Sequence, residues 1–249
     1  MATTNIEITI PVLDEEDTLK SQIEKIDMFL NANLSLNSQV SLVIVDNGST
    51  DKTPMIAQRL SETLRRVRYI RLEERGVGRA LKASWLNSKS DIVGYMDLDL
   101  ATDLKHLEPA LELIQGGQYD VVTGSRLLKA SKAIGRPPIR TFTSKTLNVI
   151  LQTWFDVGFS DGMCGFKFLR SDLINELMAA GAVSDGWFFA TEILIAAEAL
   201  GYKVGDIPVE WTDDPNSKVK ILKLTAEYLK AMKRLKCNLK EYEKNNAYK

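Results

Sequence analysis

Short apolar runs alternate with segments of helical periodicity through the first half of this chain. Runs such as Ile92 to Met96 have the length and composition of buried strands, and segments such as Glu15 to Leu30 carry apolar residues three and four positions apart. A repeated strand–helix order predicts a Rossmann-like α/β fold, with a mostly parallel sheet and helices on both faces. The predicted strands are 6–12, 40–45, 67–72, 92–96 and 119–123, and the predicted helices are 15–30, 52–64, 77–86 and 105–114.

The pattern changes after Gly124. Residues 125–139 form a long connection, and connections of that length are often functional. The elements predicted after it are a helix over 140–155, a strand over 165–169, a helix over 188–200 and a strand over 203–211. Pro208 interrupts the last strand, which predicts an edge position. We predict one domain over residues 1–217 and a helical extension over residues 218–249.

The C-terminal extension is basic and amphipathic. It holds ten lysines and arginines and three glutamates, so it carries +7 and the rest of the chain −8 of the formal net charge of −1. Its apolar residues are spaced by three and four: Ile221, Leu224, Tyr228, Met232, Leu235, Leu239 and Tyr242. Such a stripe packs on the body, packs on a second subunit as in a homodimer, or lies on an anionic membrane surface. We predict the membrane contact.

Composition narrows the class of protein. With 45% hydrophobic and 26% charged residues, the chain is typical of globular proteins. One histidine excludes a multi-histidine zinc site, and two distant cysteines, Cys164 and Cys237, indicate a reducing compartment. The sequence shows neither a signal-peptide pattern nor an apolar run of membrane-spanning length. We therefore expect a cytoplasmic protein held at the inner face of the membrane, with no nucleic-acid partner.

Two carboxylates, Asp97 and Asp99, follow the predicted strand that ends at Met96. Ligands of open α/β sheets bind at the carboxyl ends of strands. Carboxylates one residue apart can bind Mg2+ or Mn2+ there, and the ion can hold a diphosphate and offset the charge of a leaving phosphate. A calcium loop is disfavoured, because Ala101 and Thr102 stand where it needs an oxygen ligand and a glycine.

Four ordered motifs resemble those of the family 2 glycosyltransferases. They are 9–16 (TIPVLDEE), 45–51 (VDNGSTD), 76–81 (GVGRAL) and 96–99 (MDLD). Later motifs are similar to those of the polyprenyl-phosphate (dolichyl-phosphate) hexose synthases, more the glucosyl than the mannosyl type. These are 123–126 (TGSR), 164–167 (CGFK), 187–192 (WFFATE) and 207–211 (IPVEW). The resemblance implies the GT-A fold of nucleotide-sugar glycosyltransferases.

On the donor side, the resemblance implies a nucleoside pocket and a diphosphate site. The residues of the nucleoside pocket would be Pro11, Asp14, Glu15 and Asp46, of which Asp46 would contact the base or the ribose. The residues near the phosphates would be Arg79, Asp97 and Asp99. Asp97 and Asp99 would also carry the metal, and Asp99 would be catalytic. The family usually has two acidic residues where this chain has Asp46-Asn47, a difference that can either alter base preference or be neutral.

On the acceptor side, the resemblance implies that Arg126 faces the acceptor phosphate and takes part in catalysis. The other residues of the acceptor site would be Arg140, Asp161 and Lys167, and Glu192 would be a catalytic acidic residue near the acceptor. Relatives often carry an aspartate where this chain has Ala190, which cannot act as an acid or a base. A phosphate monoester is already largely ionised at neutral pH, so a phosphate acceptor needs no strong base.

Together these features predict an inverting, metal-dependent hexosyltransferase. The expected donor is a nucleotide-sugar, either UDP-glucose-like or GDP-mannose, and the expected acceptor is a polyprenyl or dolichyl phosphate. Two alternatives remain open. One is transfer to a glycan hydroxyl in cell-envelope polysaccharide synthesis, with Glu192 as the base. The other is a non-catalytic nucleotide-sugar-binding scaffold, which Ala190 favours.

Overall fold

The computed structural model describes residues 4–33, 40–213 and 221–246. Its strands are β1 (Ile6–Val12), β2 (Val40–Asp46), β3 (Val67–Arg71), β4 (Ile92–Met96), β5 (Val121–Ser125), β6 (Lys132–Ile134), β7 (Phe166–Arg170), β8 (Val204–Pro208) and β9 (Glu210–Thr212). Seven of them form one sheet in the order β3-β2-β1-β4-β7-β5-β8, and β6 pairs with β9 in a second, smaller sheet.

All pairings in the main sheet are parallel except those of β7, which runs antiparallel to both β4 and β5. The sheet is therefore mostly parallel, as predicted. The reversal has a consequence for the edge of the sheet, because the start of β7 lies beside the end of β4, with Phe166 opposite Met96. Residues just before β7 thus reach the edge at which the parallel strands end.

Helices cover both faces of the sheet. They are α1 (Leu19–Ala32), α2 (Thr53–Thr63), α3 (Val77–Trp85), α4 (Leu107–Gln115), α5 (Pro138–Phe155), α6 (Ile174–Ala179), α7 (Phe189–Ala199) and α8 (Ile221–Asn246). Apolar side chains of α1, α2 and α4 are buried in one core cluster, and those of α3, α6, α7 and α8 are buried in another. A stripe at helical spacing makes this possible, as in α1, where Leu19, Ile23, Ile26 and Leu30 are the buried residues. The predicted helix layers are confirmed.

The strand predicted over residues 203–211 is two strands with a break after Pro208. β8 forms the edge of the main sheet, as the proline predicts. The N–H of Val209 still donates to the Ser125 carbonyl at 3.1 Å, but β9 then turns away to pair with β6. This departure brings Trp211 and Asp213 next to the long connection after β5.

The apolar stripe of α8 packs on the body of the protein. Tyr228, Met232, Leu235 and Leu239 are buried in the same cluster as side chains of α6 and α7. An apolar side chain that the protein already covers cannot also enter a bilayer or a second subunit. The structure therefore does not support the predicted membrane contact through this stripe. The side chains of Ile221 and Leu224, and the predicted domain boundary at residues 217 and 218, lie outside the described part of the chain.

Within the described ranges, none of the helices combines the length and the apolar composition that a crossing of the bilayer requires.

Candidate functional site

Loops at the carboxyl ends of β1, β2, β4 and β5 lie at one edge of the sheet. In the register of β1 and β2, Pro11 lies opposite Val45 and Val12 lies opposite Asp46. β4 is parallel to β1, so its end, followed by Asp97, lies on the same side. This edge therefore gathers the loops that carry the predicted donor residues and, through the start of β7, residues of the predicted acceptor side.

The Asp97 carboxylate lies directly against the backbone of Gly165. A Cβ on Gly165 would be 1.8 Å from Asp97 Oδ2, and the Asp97 N–H donates to the Gly165 carbonyl at 3.2 Å. Asp99 is exposed, and its Oδ1 accepts the N–H of Ala101 at 3.0 Å. Leu100 adopts a φ of +53°, which turns the chain sharply after the two carboxylates. The turn keeps both of them at the end of β4.

The charge around Asp97 favours a bound cation. Removal from water raises the pKa of Asp97 to about 7, and the negative charge of Asp99 adds to the rise. The positive charges of Lys167 and Arg126 oppose it. Because the charge of Asp99 disfavours the ionisation of Asp97, the site is short of positive charge. A divalent cation would supply that charge and lower the pKa of Asp97.

The oxygen donors of this pair suit Mg2+ or Mn2+. Among residues 4–33, 40–213 and 221–246, no three His, Cys, Asp or Glu side chains come together as a complete metal site. Two carboxylates suffice for Mg2+ in proteins that bind it with a nucleotide, because substrate phosphates and waters complete the shell. Asp97 and Asp99 are therefore the residues that would hold the ion.

Asp14 joins the loop after β1 to the loop after β2. Its Oδ1 accepts the N–H of Thr50 at 2.8 Å, and its own N–H donates to Ser49 Oγ at 2.9 Å. The N–H of Glu15 donates to Thr53 Oγ1 at 2.7 Å, which extends the connection. These bonds fix the shape of the edge where the nucleoside is predicted to bind. The nucleoside contacts of Asp14 and Glu15 stay a prediction.

Asp46 is fully buried, and three neighbours hold its carboxylate. Oδ1 accepts the N–H of Ser49 at 2.8 Å, and Oδ2 accepts bonds from Tyr69 at 3.2 Å and Arg71 at 2.9 Å. The next residue, Asn47, is buried with its Oδ1 unpaired among the described residues. An unpaired buried acceptor is costly unless a ligand satisfies it. Asn47 is thus a candidate base contact that the sequence marked only as a departure from the family.

Arg79 lies in the first turn of α3 between two carboxylates. Its Nη2 is 2.7 Å from Glu74 Oε2 and 3.2 Å from Asp185 Oδ2, and its Nε is buried and unpaired among the described residues. The first amides of α3 are occupied as well: Gly78 donates to the Gly186 carbonyl at 3.1 Å, and Arg79 donates to the Asp185 carbonyl at 3.0 Å. These two amides are therefore not available to a ligand, and the contact of the Arg79 side chain with a donor phosphate stays a prediction.

Arg126 and Asp161 form a buried bidentate ion pair. Arg126 Nε is 2.7 Å from Oδ2, Nη2 is 3.0 Å from Oδ1, and the Arg126 backbone N–H also donates to Oδ2. Burial alone would lower the pKa of Arg126, but the charge and hydrogen bonds of Asp161 outweigh it and raise the pKa above its ordinary value. Burial would raise the pKa of Asp161, but Arg126 lowers it overall. Both groups are therefore ionised at neutral pH.

Lys167 is a buried cation on β7. Its Nζ donates to the Cys164 carbonyl and lies 5.8 Å from the centroid of the Tyr95 ring. Burial lowers the pKa of Lys167, and the negative charges of Asp161 and Asp97 oppose that fall. The side chain is enclosed by protein, so we expect it to act on the acceptor side through its charge. Direct contact with an acceptor stays a prediction.

Trp211 connects Arg126 to two further arginines. The guanidinium carbon of Arg126 lies 4.7 Å from the Trp211 ring centroid, and Trp211 Nε1 donates to Asp213 Oδ1 at 3.1 Å. Asp213 also pairs with Arg140 at 2.9 Å and with Arg136 at 3.4 Å. We call Arg126, Arg136 and Arg140 the arginine cluster. Arg136, whose Nε is buried and unpaired among the described residues, was not assigned from the sequence. Its position in the long connection after β5 was the available signal.

Glu192, in the first turn of α7, belongs to a separate hydrogen-bond network. It is fully buried, and its carboxylate accepts the N–H of Ser184 at 2.7 Å, the hydroxyl of Ser184 at 2.6 Å and a guanidinium N–H of Arg234 at 2.8 Å. A general base must reach the proton that it removes. Both oxygens of Glu192 are bound to protein groups, so this geometry does not favour its predicted catalytic role.

Solved structures share this arrangement of strands and helices. Glucosyl-3-phosphoglycerate synthase from Mycobacterium tuberculosis, in complex with Mn2+, UDP and phosphoglyceric acid, superposes with a TM-score of 0.65 at 19% identity, over 95% of this chain and 78% of that one. S. aureus TarS in complex with UDP-GlcNAc gives 0.62 at 15% identity, over 94% of this chain and 66% of that one. These similarities confirm the predicted GT-A-like fold.

The sequence comparisons give the family. The sequence model of Glycosyl transferase family 2 matches residues 7–178. Glycosyltransferase AglD of Haloferax volcanii is 30% identical over 223 residues, 88% of this chain and 35% of that protein. The dolichyl-phosphate beta-glucosyltransferase ALG5C of Trichomonas vaginalis is 25% identical over 85% of this chain and 65% of its own length. The dolichyl-phosphate beta-glucosyltransferase of Dictyostelium discoideum is 26% identical over 86% of this chain and 68% of its own length. The chain therefore spans one third to two thirds of these relatives. It belongs to glycosyl transferase family 2.

Proposed function

We propose that this chain is a glycosyltransferase that moves a hexose from a nucleotide-sugar to the phosphate of a polyprenyl or dolichyl lipid, with inversion at the anomeric carbon. One observation carries the proposal. The positive charge of Arg126 acts on the Asp97 carboxylate. Arg126 also contacts Trp211, which is bonded to Asp213, and Asp213 in turn pairs with Arg136 and Arg140. An acidic pair suited to a metal–diphosphate is thus linked to three arginines that are paired with two aspartates, and the remaining positive charge suits a second phosphate.

The chemistry of a phosphate acceptor fits the side chains present. Its oxygen is already ionised at neutral pH and needs a cationic site more than a base. The arginine cluster supplies that site, whereas Glu192 is enclosed with both oxygens occupied. A divalent ion bound by Asp97 and Asp99 would neutralise the departing diphosphate. Gly165, by leaving room for the Asp97 carboxylate, keeps that carboxylate at the end of β4.

An exposed apolar face of α5 suits the lipid part of the acceptor. Ile139 and Phe142 are 65% and 68% exposed, and Val149 and Ile150 continue the same side of the helix. Arg140 of the arginine cluster is in the first turn of this helix. An apolar surface beside cations matches a phosphate on an apolar chain at an anionic bilayer. We therefore place the peripheral contact with the cytoplasmic membrane face at α5, in place of α8.

UDP-glucose is the first donor to test, and GDP-mannose the second. Two of the relatives are named dolichyl-phosphate beta-glucosyltransferase, and the mycobacterial enzyme with the same fold was crystallised with Mn2+ and UDP-glucose. Those names and ligands belong to other proteins, and they support this order of testing. Mg2+ and Mn2+ are equally compatible with two carboxylate ligands.

The choice of acceptor is the experiment that tests the proposal. Labelled UDP-glucose or GDP-mannose would be incubated with a short polyprenyl phosphate or with the matching polyprenol, which has a hydroxyl in place of the phosphate. We expect label on the phosphate alone. Label on the polyprenol or on an oligosaccharide would favour the hydroxyl acceptor. A non-catalytic scaffold would label neither acceptor, and the Asp99→Asn change would leave its binding to its partners intact.

A further inference from the structure

We propose that Glu192, Ser184 and Arg234 form a positioning network that holds Arg79 in place for the donor phosphates, with Glu192 as a positioning residue rather than a base. The proposal rests on the proposed function only in giving Arg79 a donor to bind. We expect its effect on Arg79 to pass through the chain segment 183–186, which contacts both the network and α3.

The first step joins α8 to that segment. Arg234 of α8 donates both to Glu192 Oε1 at 2.8 Å and to the hydroxyl of Ser184. Ser184 in turn donates its N–H and its hydroxyl to the two Glu192 oxygens. Glu192 is fully buried, whereas Arg234 is 44% exposed in its side chain. Arg234 is the cationic partner of this buried carboxylate, so we expect its removal to rearrange Ser184, which binds both groups.

The second step joins the segment to α3. The carbonyl oxygens of Asp185 and Gly186 accept the N–H groups of Arg79 and Gly78. The Asp185 carboxylate binds Arg79 Nη2 at 3.2 Å and Lys82 Nζ at 2.5 Å. One segment thus holds the backbone, the guanidinium and the next turn of the helix that carries Arg79.

The fit between the segment and α3 leaves little slack. A Cβ on Gly78 would be 2.3 Å from the Ser184 carbonyl, and one on Gly76 would be 2.3 Å from the Asp185 carbonyl. Gly181, which lies between α6 and this segment, is close to α8, since its Cβ would be 2.6 Å from Asn238 Cβ. In such close packing, a displacement of Ser184 is passed to α3 rather than absorbed.

Four variants test the network: Glu192→Gln, Arg234→Met, the pair together, and Arg234→Lys as the conservative change. Lys233→Met is the matched control, because Lys233 is exposed on α8 next to Arg234 and loses the same charge. Binding of UDP-glucose and GDP-mannose with Mn2+ would be measured by calorimetry. Hydrogen exchange at the amides of residues 78 and 79 would be measured without ligand, and kcat and KM for the donor would follow.

We expect Arg234→Met and Glu192→Gln each to weaken donor binding about tenfold, as for a lost charged hydrogen bond, and to leave kcat at saturating donor within about threefold. The double variant should bind the donor no more weakly than the single variant with the lower donor affinity, because the two residues act through one network. Exchange at residues 78 and 79 should accelerate in both single variants, and Arg234→Lys should restore part of the affinity.

Two results would overturn the proposal. A fall in kcat of about 100-fold or more in Glu192→Gln, at unchanged donor KM, would make Glu192 a base. A lower melting temperature with unchanged donor affinity and unchanged exchange at residues 78 and 79 would make the network merely structural. The exchange measurement needs neither donor nor acceptor. A failure to label polyprenyl phosphate would therefore refute the proposed acceptor but would not affect this test of the network.

Discussion

The backbone of Gly165 lies so close to the carboxylate of Asp97 that no side chain would fit between them. A Cβ at position 165 would be 1.8 Å from Asp97 Oδ2 and 2.3 Å from its Cγ. Asp97 sits at the end of β4, and Gly165 immediately precedes the antiparallel β7. The reversed strand therefore sets the position of the acidic pair from the acceptor side of the site.

Gly165→Ala should move the Asp97 carboxylate and so disrupt the metal–diphosphate site. A displacement of about 1 Å in such a site can reduce the rate about 100-fold, and we expect a loss of that order in kcat/KM. The measurement is donor turnover at varied Mn2+. Gly158→Ala is the matched control, because its Cβ would meet only Glu198 oxygens at 3.8 and 3.9 Å. Equal activity of the two variants would contradict this role of Gly165.

Asp161→Asn should destabilise the fold at neutral pH, because it leaves Arg126 buried without its ionised partner. Breaking a buried pair of this kind costs about 3–5 kcal/mol. The pKa of Asp161 is lowered on folding, so its ionised form stabilises the fold above its unfolded pKa, and that stabilisation is lost as the pH falls through the lower folded pKa. Urea unfolding should therefore show a gap between wild type and variant that is constant near neutrality and narrows below about pH 4. A gap that does not depend on pH would contradict this account.

Arg140→Met should weaken the acceptor and spare the donor. A hydrogen bond to a charged group contributes about 1.5–3 kcal/mol, so the KM for polyprenyl phosphate should rise roughly 10- to 100-fold, with donor KM little changed. Lys145→Met on the same helix is the control, because Lys145 is exposed and the change removes the same charge. Equal effects of the two variants would indicate general electrostatics rather than a phosphate site.

The double variant Ile139→Ser/Phe142→Ser should weaken binding to vesicles that contain anionic lipid. Burial of a large apolar side chain contributes about 1.5–3 kcal/mol, so even partial insertion of two predicts at least a tenfold loss of partitioning. Met55→Ser is the control, since Met55 of α2 is 65% exposed, as Ile139 is. Sedimentation with vesicles would measure both. Loss of binding on Leu229→Ser of α8 instead would return the membrane contact to the C-terminal helix.

The sequence predicted the features that depend on local pattern. Alternating apolar runs and helical stripes identified the α/β fold, and the position of Asp97 and Asp99 after an apolar run identified the acidic pair at a strand end. Pro208 predicted the edge strand because proline cannot donate in the interior of a sheet. Such signals are contained in a few consecutive residues.

The sequence could not predict features that depend on distant contacts. Arg136 and Asp213 are 77 positions apart, and Glu192 and Arg234 are 42 apart, so no local pattern joins them. The apolar stripe of α8 has the same periodicity whether protein or lipid covers it, and only the packing against α6 and α7 distinguishes the two. The direction of β7 is likewise set by tertiary pairing rather than by its composition.

The proposed transfer is tested directly by incubating labelled UDP-glucose or GDP-mannose with a short polyprenyl phosphate, with Mn2+ or Mg2+ and again with a chelator. Asp99→Asn would be assayed in parallel as a change to the proposed metal site. We expect labelled lipid from one donor, and we expect the label to be lost with the chelator and in the variant. Label that reaches the lipid equally well with chelator, or in Asp99→Asn, would contradict the metal-dependent donor site. Label that appears only as released sugar would contradict the lipid-phosphate acceptor.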